Sequence, residues 1–158
     1  MAEWRSMMLE LGFENARTLI ATGNAIFERR AATVSEVEAK LEEAFERHFG
    51  RRVDTIVRGA ASFRRMAEGN PFPEESKQDG SRVAVRVMRS PLDADAITAL
   101  KPYLTQGERL KLVEGDVWVH FKGDPNRSSV LRVLASKRLG VGTVRNWNTI
   151  RRLNSMLG

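Results

Sequence analysis

The chain has 158 residues, of which 42% are hydrophobic and 29% are charged, a composition typical of globular rather than disordered proteins. It has no cysteine and only two histidines, so disulfides, thiolate catalysis, zinc fingers and multi-histidine metal sites are excluded. Apolar runs are too short to span a bilayer and no signal peptide opens the chain, so we expect a cytoplasmic protein with no metal, no cofactor and no membrane partner.

The charge is distributed unevenly along the chain. Residues 1–80 carry 12 basic and 14 acidic side chains, whereas residues 81–158 carry 14 basic and 6 acidic ones. After Asp124 no acidic side chain occurs. Such an excess of positive charge attracts anions, but a solubilising surface explains it as well. The basic residues after Asp124 are Arg127, Arg132, Lys137, Arg138, Arg145, Arg151 and Arg152.

The chain begins with a predicted helix and hairpin. Apolar residues at helical spacing predict a helix over residues 1–11. Residues 16–22 and 25–29 are typical of two strands. Gly23 and Asn24 predict a tight turn between them, because both residue types tolerate a positive φ.

A second helix and a third strand follow the hairpin. Ser35, with Glu38 three residues later, predicts a capping box for a helix that runs to about His48. The apolar run at 53–58 predicts a strand, and residues 61–68 predict a short helix.

The middle of the chain is a candidate linker. Residues 69–80 are rich in proline, glycine and charge, which is typical of a connection between domains. The elements predicted after it are a strand at 82–88, a helix at 93–104, a hairpin of 110–113 and 116–121, a helix at 130–139, a strand at 143–147 and a helix at 149–157.

These elements predict the fold class. The second half has the order β-α-β-β-α-β with an added helix, which is the ferredoxin-like order. The first half has the same order without its first strand. We therefore predict an α+β protein with two tandem ferredoxin-like α/β sandwich domains, at 1–68 and 81–158, of which the first lacks its first strand.

The absent strand would be central in the first sheet. In this fold the strand order is 4-1-3-2, so the first strand lies between 25–29 and 53–58. Each buried backbone group left without a partner costs on the order of 1–3 kcal/mol. Met1 is then an internal methionine of a longer gene, or the sheet is rearranged, or another chain supplies a strand, as in a homodimer formed through this sheet. A different topology of the first half is the remaining alternative.

Several short segments carry a family resemblance. They read Leu-Gly-Phe at 11–13, Thr-Gly-Asn-Ala-Ile-Phe at 22–27, Asn-Pro-Phe-Pro at 70–73 and Thr-Val-Arg-Asn-Trp-Asn-Thr at 143–149, the last being the most specific. Together they resemble the bacterial domain-of-unknown-function family 1697 (DUF1697). The resemblance implies a further N-terminal strand that ends in a glycine-rich turn, in agreement with the topological reasoning. It implies no particular activity.

The turn Thr22-Gly23-Asn24 is the first candidate site. As structure, it is a hairpin turn that uses the conformational freedom of glycine and asparagine. As a ligand site, its backbone N–H groups, the Thr22 hydroxyl and the Asn24 amide would face an anion.

The segment Arg145-Asn146-Trp147-Asn148 is the second candidate site. It joins the last strand to the last helix, and Asn148 is the predicted N-cap of that helix. A helix N-terminus beside arginines is a natural anion site. Trp147 either stacks on a ligand base or packs in the core.

Trp118 and His120 alternate with valines along one strand, so we expect them on the same sheet face as Arg86. An aromatic residue beside basic residues on an open sheet is typical of single-stranded RNA platforms. Alternatively this face packs on the first half of the chain, and His120 is then an interface residue.

No arrangement of catalytic residues emerges, so whether the protein is an enzyme stays open. One hypothesis is a non-enzymatic protein whose basic C-terminal half binds an anionic small molecule or a nucleic acid. The other is an enzyme of unknown reaction with a site between the two domains, formed by the Thr-Gly-Asn turn and the Arg-Asn-Trp-Asn-Thr segment.

We expect the DNA upstream of the Met1 codon to encode, in the same frame, a strand that ends in a glycine-rich turn. The reason is the absent central strand. Sequencing of the genomic locus checks this expectation. A stop codon in frame directly before Met1, with no alternative start, would contradict it.

Overall fold

The fold is described by a computed structural model that covers residues 2–19, 23–28 and 33–158. It is an α+β protein with a two-stranded and a four-stranded antiparallel sheet and seven α-helices in that part of the chain. The strands are β1 (Glu14–Leu19), β2 (Asn24–Glu28), β3 (Val83–Met88), β4 (Arg109–Val113), β5 (Asp116–His120) and β6 (Gly142–Asn146). The helices are α1 (Ala2–Glu10), α2 (Val34–Phe49), α3 (Ala60–Glu68), α4 (Pro73–Gln78), α5 (Ala94–Leu100), α6 (Ser129–Ala135) and α7 (Trp147–Met156).

The hairpin of β1 and β2 differs from the predicted one in its turn. Leu19 pairs with Asn24, so Asn24 is the first residue of β2 and not a turn residue. Gly23 has a φ of 88°, the left-handed conformation that glycine adopts without strain. The prediction of a two-residue turn at Gly23-Asn24 is therefore wrong, because the ladder already begins at Asn24.

Helix α2 begins two residues earlier than predicted. Thr33 is the N-cap: its hydroxyl accepts a hydrogen bond from the Glu36 N–H, and the Glu36 carboxylate accepts one from the Thr33 N–H. This capping box replaces the predicted pair of Ser35 and Glu38. The Glu38 side chain instead accepts a hydrogen bond from the Val57 N–H.

Residues 53–58 do not form the predicted strand, because no ladder partner lies beside them in the described part of the chain. The side chains of this segment nevertheless lie alternately on opposite sides, as in an extended chain. Ile56 packs against the core of the second half, and the adjacent Val57 packs against the core of the first half.

Residues 69–80, the predicted linker, are ordered and packed. They contain α4, and Phe72 at its N-terminus is 2% exposed. The Asn70 amide donates to the Ser76 hydroxyl and accepts a hydrogen bond from the Phe72 N–H. Pro73 opens the helix at a position where its missing N–H is not needed.

The four-stranded sheet has the order β4-β5-β3-β6, and every neighbouring pair is antiparallel. This is the strand order expected for a β-α-β-β-α-β unit. Helices α5 and α6 cover one face of the sheet, and α3, α4 and α7 cover the other. The tandem repetition of this unit stays a prediction. In the described part of the chain, no helix is long and apolar enough to cross a membrane.

We expect the amides of β2 to exchange with solvent faster than those of β3. Strand β3 has a ladder on each side and is buried at all six positions, whereas β2 has one ladder among the described residues. Hydrogen exchange followed by mass spectrometry tests this, with β5 as a second protected control. Equal protection of β2 and β3 would show that β2 has another neighbour in solution.

Candidate functional site

A cleft of about 820 Å³ lies between the two halves of the protein. Strand β2 and residues 53–58 both border it. Helices α1 and α2 supply one apolar wall, and α3, β3 and α7 supply the other. The main apolar lining residues are Trp4, Met8, Val37, Leu41 and Phe45 on the first wall and Phe63, Val87, Ile150 and Leu153 on the second.

Two of the predicted site residues meet in the wall of this cleft. The Nε of Arg145 donates a hydrogen bond of 2.8 Å to Oδ1 of Asn24, across 121 residues of sequence. The Nη1 of Arg145 donates to the Thr143 hydroxyl at 2.6 Å and to the Val144 carbonyl at 2.8 Å. Burial lowers the pKa of Arg145, which remains a cation at neutral pH because its ordinary value is so high.

The rest of the Thr-Gly-Asn turn is described only in part. Gly23 lies beside Asn24 and lines the cleft. Thr22 lies outside the described residues. The described part of the turn is therefore next to Arg145.

The next three residues of this segment, Asn146, Trp147 and Asn148, do not line the cleft. Oδ1 of Asn146 accepts a hydrogen bond of 3.1 Å from the Thr149 N–H, so Asn146 is the N-cap of α7 and the prediction for Asn148 is wrong. The reason is that β6 passes into α7 without an intervening loop. Trp147 contacts Trp118, with ring centroids 6.2 Å apart. Asn148 lies so close to Gly80 that a Cβ there would be 2.3 Å from its Oδ1.

The expected position of Arg86 on the sheet face of Trp118 and His120 is wrong. Arg86 is opposite Val117 in the ladder, so it lies on the other sheet face from Trp118. Trp118 is fully buried under α3, α4 and α7, and its face is not an open platform.

Arg86 has a structural role in the described fold. It is 2% exposed and donates to the Leu134 carbonyl and, at 2.8 Å, to the Gly140 carbonyl. It thus binds carbonyl groups near the end of α6, and burial lowers its pKa. A Cβ at Gly142 would lie 3.0 Å from the Nε of Arg86 and 2.8 Å from the Met88 sulfur, so only glycine fits there.

His120 lies where the sheet meets α4. Its ring is 5.9 Å from that of Phe72, and its Nδ1 is 3.5 Å from the Arg109 guanidinium. Burial and the Arg109 charge lower the pKa of His120. Phe72 belongs to the segment 69–80 and Arg109 to β4, so these contacts do not place His120 at an interface with residues 1–68.

Sequence reasoning missed a buried ionic cluster of Glu38, Glu42 and Arg89. Oε2 of Glu38 accepts a hydrogen bond of 3.0 Å from the Val57 N–H, and Oε1 of Glu42 accepts one of 3.1 Å from the Thr55 N–H. Both glutamates are 7% exposed. Their spacing of four residues, which places both on one face of α2, is the signal that the sequence offers.

Arg89 connects this cluster to the second half. It binds Glu42, lies 3.4 Å from a Glu38 oxygen and donates to the Thr55 carbonyl. Burial lowers the pKa of Arg89, but the hydrogen bond to Glu42 and the nearby carboxylates outweigh it, so the pKa lies above its ordinary value. The cation thus neutralises two carboxylates that would otherwise be buried unpaired.

The carboxylates of the cluster accept hydrogen bonds from the N–H groups of residues 55 and 57, which form one edge of the extended segment. The other edge, at residues 54, 56 and 58, has no backbone hydrogen bond to the described part of the chain. Side chains fix the end of the segment. Arg58 forms a bidentate pair with Asp116, at 2.7 and 2.9 Å, and donates to the Met88 carbonyl.

Comparisons with known proteins place the chain in a family. The family model described as "Protein of unknown function (DUF1697)" matches residues 1–118, about three quarters of the chain. The chain belongs to the DUF1697 family. The matched span contains the segments at 11–13, 22–27 and 70–73 and ends before the segment at 143–149.

A solved structure shares the fold of this DUF1697 chain. It is described as a conserved bacterial protein, SP0830 from Streptococcus pneumoniae. The two chains are 23% identical, with a TM-score of 0.70, and the match covers 99% of this chain and 88% of that one. No curated protein matches the chain.

The basic residues after Asp124 are spread over the DUF1697 fold rather than gathered on one face. Arg132 on α6 and Arg151 and Arg152 on α7 are exposed. Since α6 and α7 lie on opposite faces of the four-stranded sheet, their cations point away from each other. Arg145 differs from them because it is half-buried in the cleft wall.

We expect Arg89→Met to destabilise the protein by about 3 kcal/mol, because it leaves Glu38 and Glu42 buried without a cation. The matched control is Arg52→Met. Arg52 contacts Glu42 at 3.4 Å but is 70% exposed, so we expect it to cost less than about 1 kcal/mol. Urea denaturation measures both free energies of unfolding. Equal losses for the two variants would contradict a central role of the cluster.

Proposed function

We propose that the protein is a non-enzymatic binding protein whose cleft holds a ligand with an anionic group and an apolar body. The supporting observation is the position of Arg145, a half-buried cation in the wall of a largely apolar cleft. A partly desolvated guanidinium attracts an anion more strongly than one in bulk water does.

The neighbours of Arg145 support this proposal. Asn24 and Thr143 hold two of its nitrogen atoms, so the side chain is oriented before a ligand arrives. Preorganisation reduces the entropy lost on binding. A volume of about 820 Å³ lies within the range of small-ligand sites.

The distribution of the other cations favours a small anionic group over a nucleic acid. A nucleic acid requires a row of cations that follows its phosphates. The exposed cations of α6 and α7 lie on opposite faces of the sheet and form no such row. The proposed anion site therefore depends on Arg145 and not on the C-terminal half as a whole.

An enzyme with its site in the same cleft is the second candidate, since the hydrogen bond between Arg145 and Asn24 brings the two predicted motifs together. Binding is the better supported of the two. Both histidines lie elsewhere: His48 is 3.6 Å from Glu10, and His120 is beside Phe72. The described lining residues supply guanidinium groups, an amide and hydroxyl groups, which are typical of ligand recognition, together with the carboxylates of Glu3 and Asp54.

We expect octanoate, an apolar chain with one carboxylate, to bind in the cleft and Arg145→Gln to weaken this binding at least about tenfold. A hydrogen bond to a charged group contributes roughly 1.5–3 kcal/mol, and 1.4 kcal/mol corresponds to a factor of ten. Isothermal titration calorimetry measures the affinity, and circular dichroism checks that the variant is folded.

The matched control is Arg151→Gln, which removes an exposed cation that does not line the cleft. Its affinity for octanoate should equal that of the unchanged protein. Arg145→Lys, which keeps the charge, should retain more affinity than Arg145→Gln. Absence of octanoate binding, or equal weakening by Arg145→Gln and Arg151→Gln, would refute the proposal.

A further inference from the structure

Strand β4 forms one outer edge of the four-stranded sheet and pairs only with β5 in the described part of the chain. The turn that joins them, residues 114–115, has a positive φ at both positions, as a two-residue hairpin turn requires. Val113 and Asp116 flank this turn and therefore form a hydrogen-bonded pair. By alternation along the ladder, the N–H and C=O groups of Leu110 and Leu112 point away from β5.

This edge of the sheet is open. Among the described residues, no backbone group outside β5 forms a hydrogen bond with Leu110 or Leu112. In the strand order 4-1-3-2, β4 is the second strand and therefore the outer one, so the open edge belongs to this topology itself. Open edges are the places at which a further extended chain is added to a sheet.

The two faces of β4 offer different chemistry to such a chain. Leu110 and Leu112 are half-buried and pack against the core under α5 and α6. Arg109 and Lys111 lie on the opposite face and are exposed. An added strand would therefore extend an apolar row on one face and meet two cations on the other.

Lys111 is the cation that is available to an added strand. Among the described residues, no carboxylate pairs with Lys111, whereas Arg109 lies 2.6 Å from Glu75. Glu114, just beyond the other end of β4, lies 3.0 Å from Arg65. These two carboxylates are thus already paired with arginines, and Lys111 is left to bind a carboxylate of another molecule.

The same charges disfavour a second copy of β4 at this edge. In an antiparallel pair centred on Lys111, this residue faces its own copy, and in a pair centred on Leu110 it faces Arg109 of the copy. Like charges directly opposite each other destabilise a sheet. A pair centred on Leu112 avoids both contacts but places residue 114, a turn residue with a φ of 47°, in the ladder.

We infer that the open edge of β4 binds an extended acidic segment of a partner protein, in which glutamate or aspartate alternates with apolar residues. Its carboxylates lie opposite Arg109 and Lys111, and its apolar side chains continue the row of Leu110 and Leu112. Cross-strand charge pairs select such a segment, and main-chain hydrogen bonds supply further affinity. No residue of β4 lines the cleft, so this inference goes beyond the proposed function and does not depend on it.

The test uses fluorescence anisotropy and the peptide Val-Glu-Val-Glu-Val-amide, with fluorescein on an N-terminal Gly-Ser spacer. In its expected register the two glutamates face Lys111 and Arg109, and the central valine faces Leu110. A control peptide with proline at the centre keeps both charges but removes an N–H that the ladder needs, so we expect it to bind at least about tenfold more weakly. The peptide Val-Lys-Val-Lys-Val-amide reverses the charge and should bind severalfold more weakly.

A charge-reversal variant tests whether the peptide lies on β4. Lys111→Glu should weaken binding of the acidic peptide severalfold and strengthen binding of the basic one. The matched control is Arg151→Glu, which changes the net charge equally at an exposed cation of α7 and should leave both affinities unchanged. Circular dichroism checks that both variants are folded.

Hydrogen exchange followed by NMR resolves the bound edge. The amides of Leu110 and Leu112 should exchange more slowly once the acidic peptide is bound. Those of residues 109, 111 and 113 should change little, because β5 already protects them.

Each of the opposite results overturns the inference. Absence of acidic-peptide binding does so directly. Equal binding of the proline peptide, or equal weakening by Lys111→Glu and Arg151→Glu, shows unspecific charge attraction instead. A stable dimer in sedimentation whose Leu110 and Leu112 amides are protected without peptide identifies a second copy as the occupant. Arg145→Gln should leave peptide affinity unchanged, so failure of octanoate binding refutes the proposed function alone.

Discussion

The contact between Arg89 and the two glutamates of α2 joins the halves of the molecule. Arg89 directly follows β3, the central strand of the larger sheet, whereas Glu38 and Glu42 belong to the first half. One guanidinium therefore connects the four-stranded sheet to the helix that covers the two-stranded one. The extended segment 53–58 lies between them and is held by the same groups.

The cluster also explains how an unpaired segment keeps an extended backbone. In a sheet, the N–H groups of residues 55 and 57 would bind carbonyl oxygens of a neighbouring strand. Here side-chain carboxylates take that role on one edge, and Arg58 fixes the end through Asp116. Charge-assisted hydrogen bonds are stronger than neutral ones, so few contacts suffice to position the segment. The same segment borders the cleft.

Much of the second half could be predicted from the sequence, because its strands alternate and its helices have clear apolar stripes. The strand order β4-β5-β3-β6 agrees with that prediction. Errors arose where two residues offered the same chemistry a short distance apart: Thr33 rather than Ser35 caps α2, and Asn146 rather than Asn148 caps α7. A local sequence pattern does not distinguish such neighbours, because which of them becomes the N-cap depends on where the preceding loop or strand ends.

The candidate site could be predicted only in part. The residues Asn24 and Arg145 were selected for their chemistry, but their contact spans the whole fold and has no local signal. The sequence predicts Arg86 on an open sheet face and gives no sign that Glu42 is buried, because charged side chains are rarely buried. Each is buried because distant groups satisfy it: Arg89 for Glu42, and backbone carbonyls at the end of α6 for Arg86.

The close approach of Gly142 to three neighbouring groups restricts which residues evolution can place at this position. Any side chain at residue 142 meets the Arg86 guanidinium, the Met88 sulfur and the Val87 carbonyl. A side chain at 142 therefore displaces a buried cation from the carbonyls it binds. Replacing Arg86 by a smaller residue removes only one of these contacts and leaves the Met88 sulfur at 2.8 Å and the Val87 backbone carbonyl at 2.9 Å. Position 142 is thus expected to be glycine across relatives, whether or not the arginine is kept.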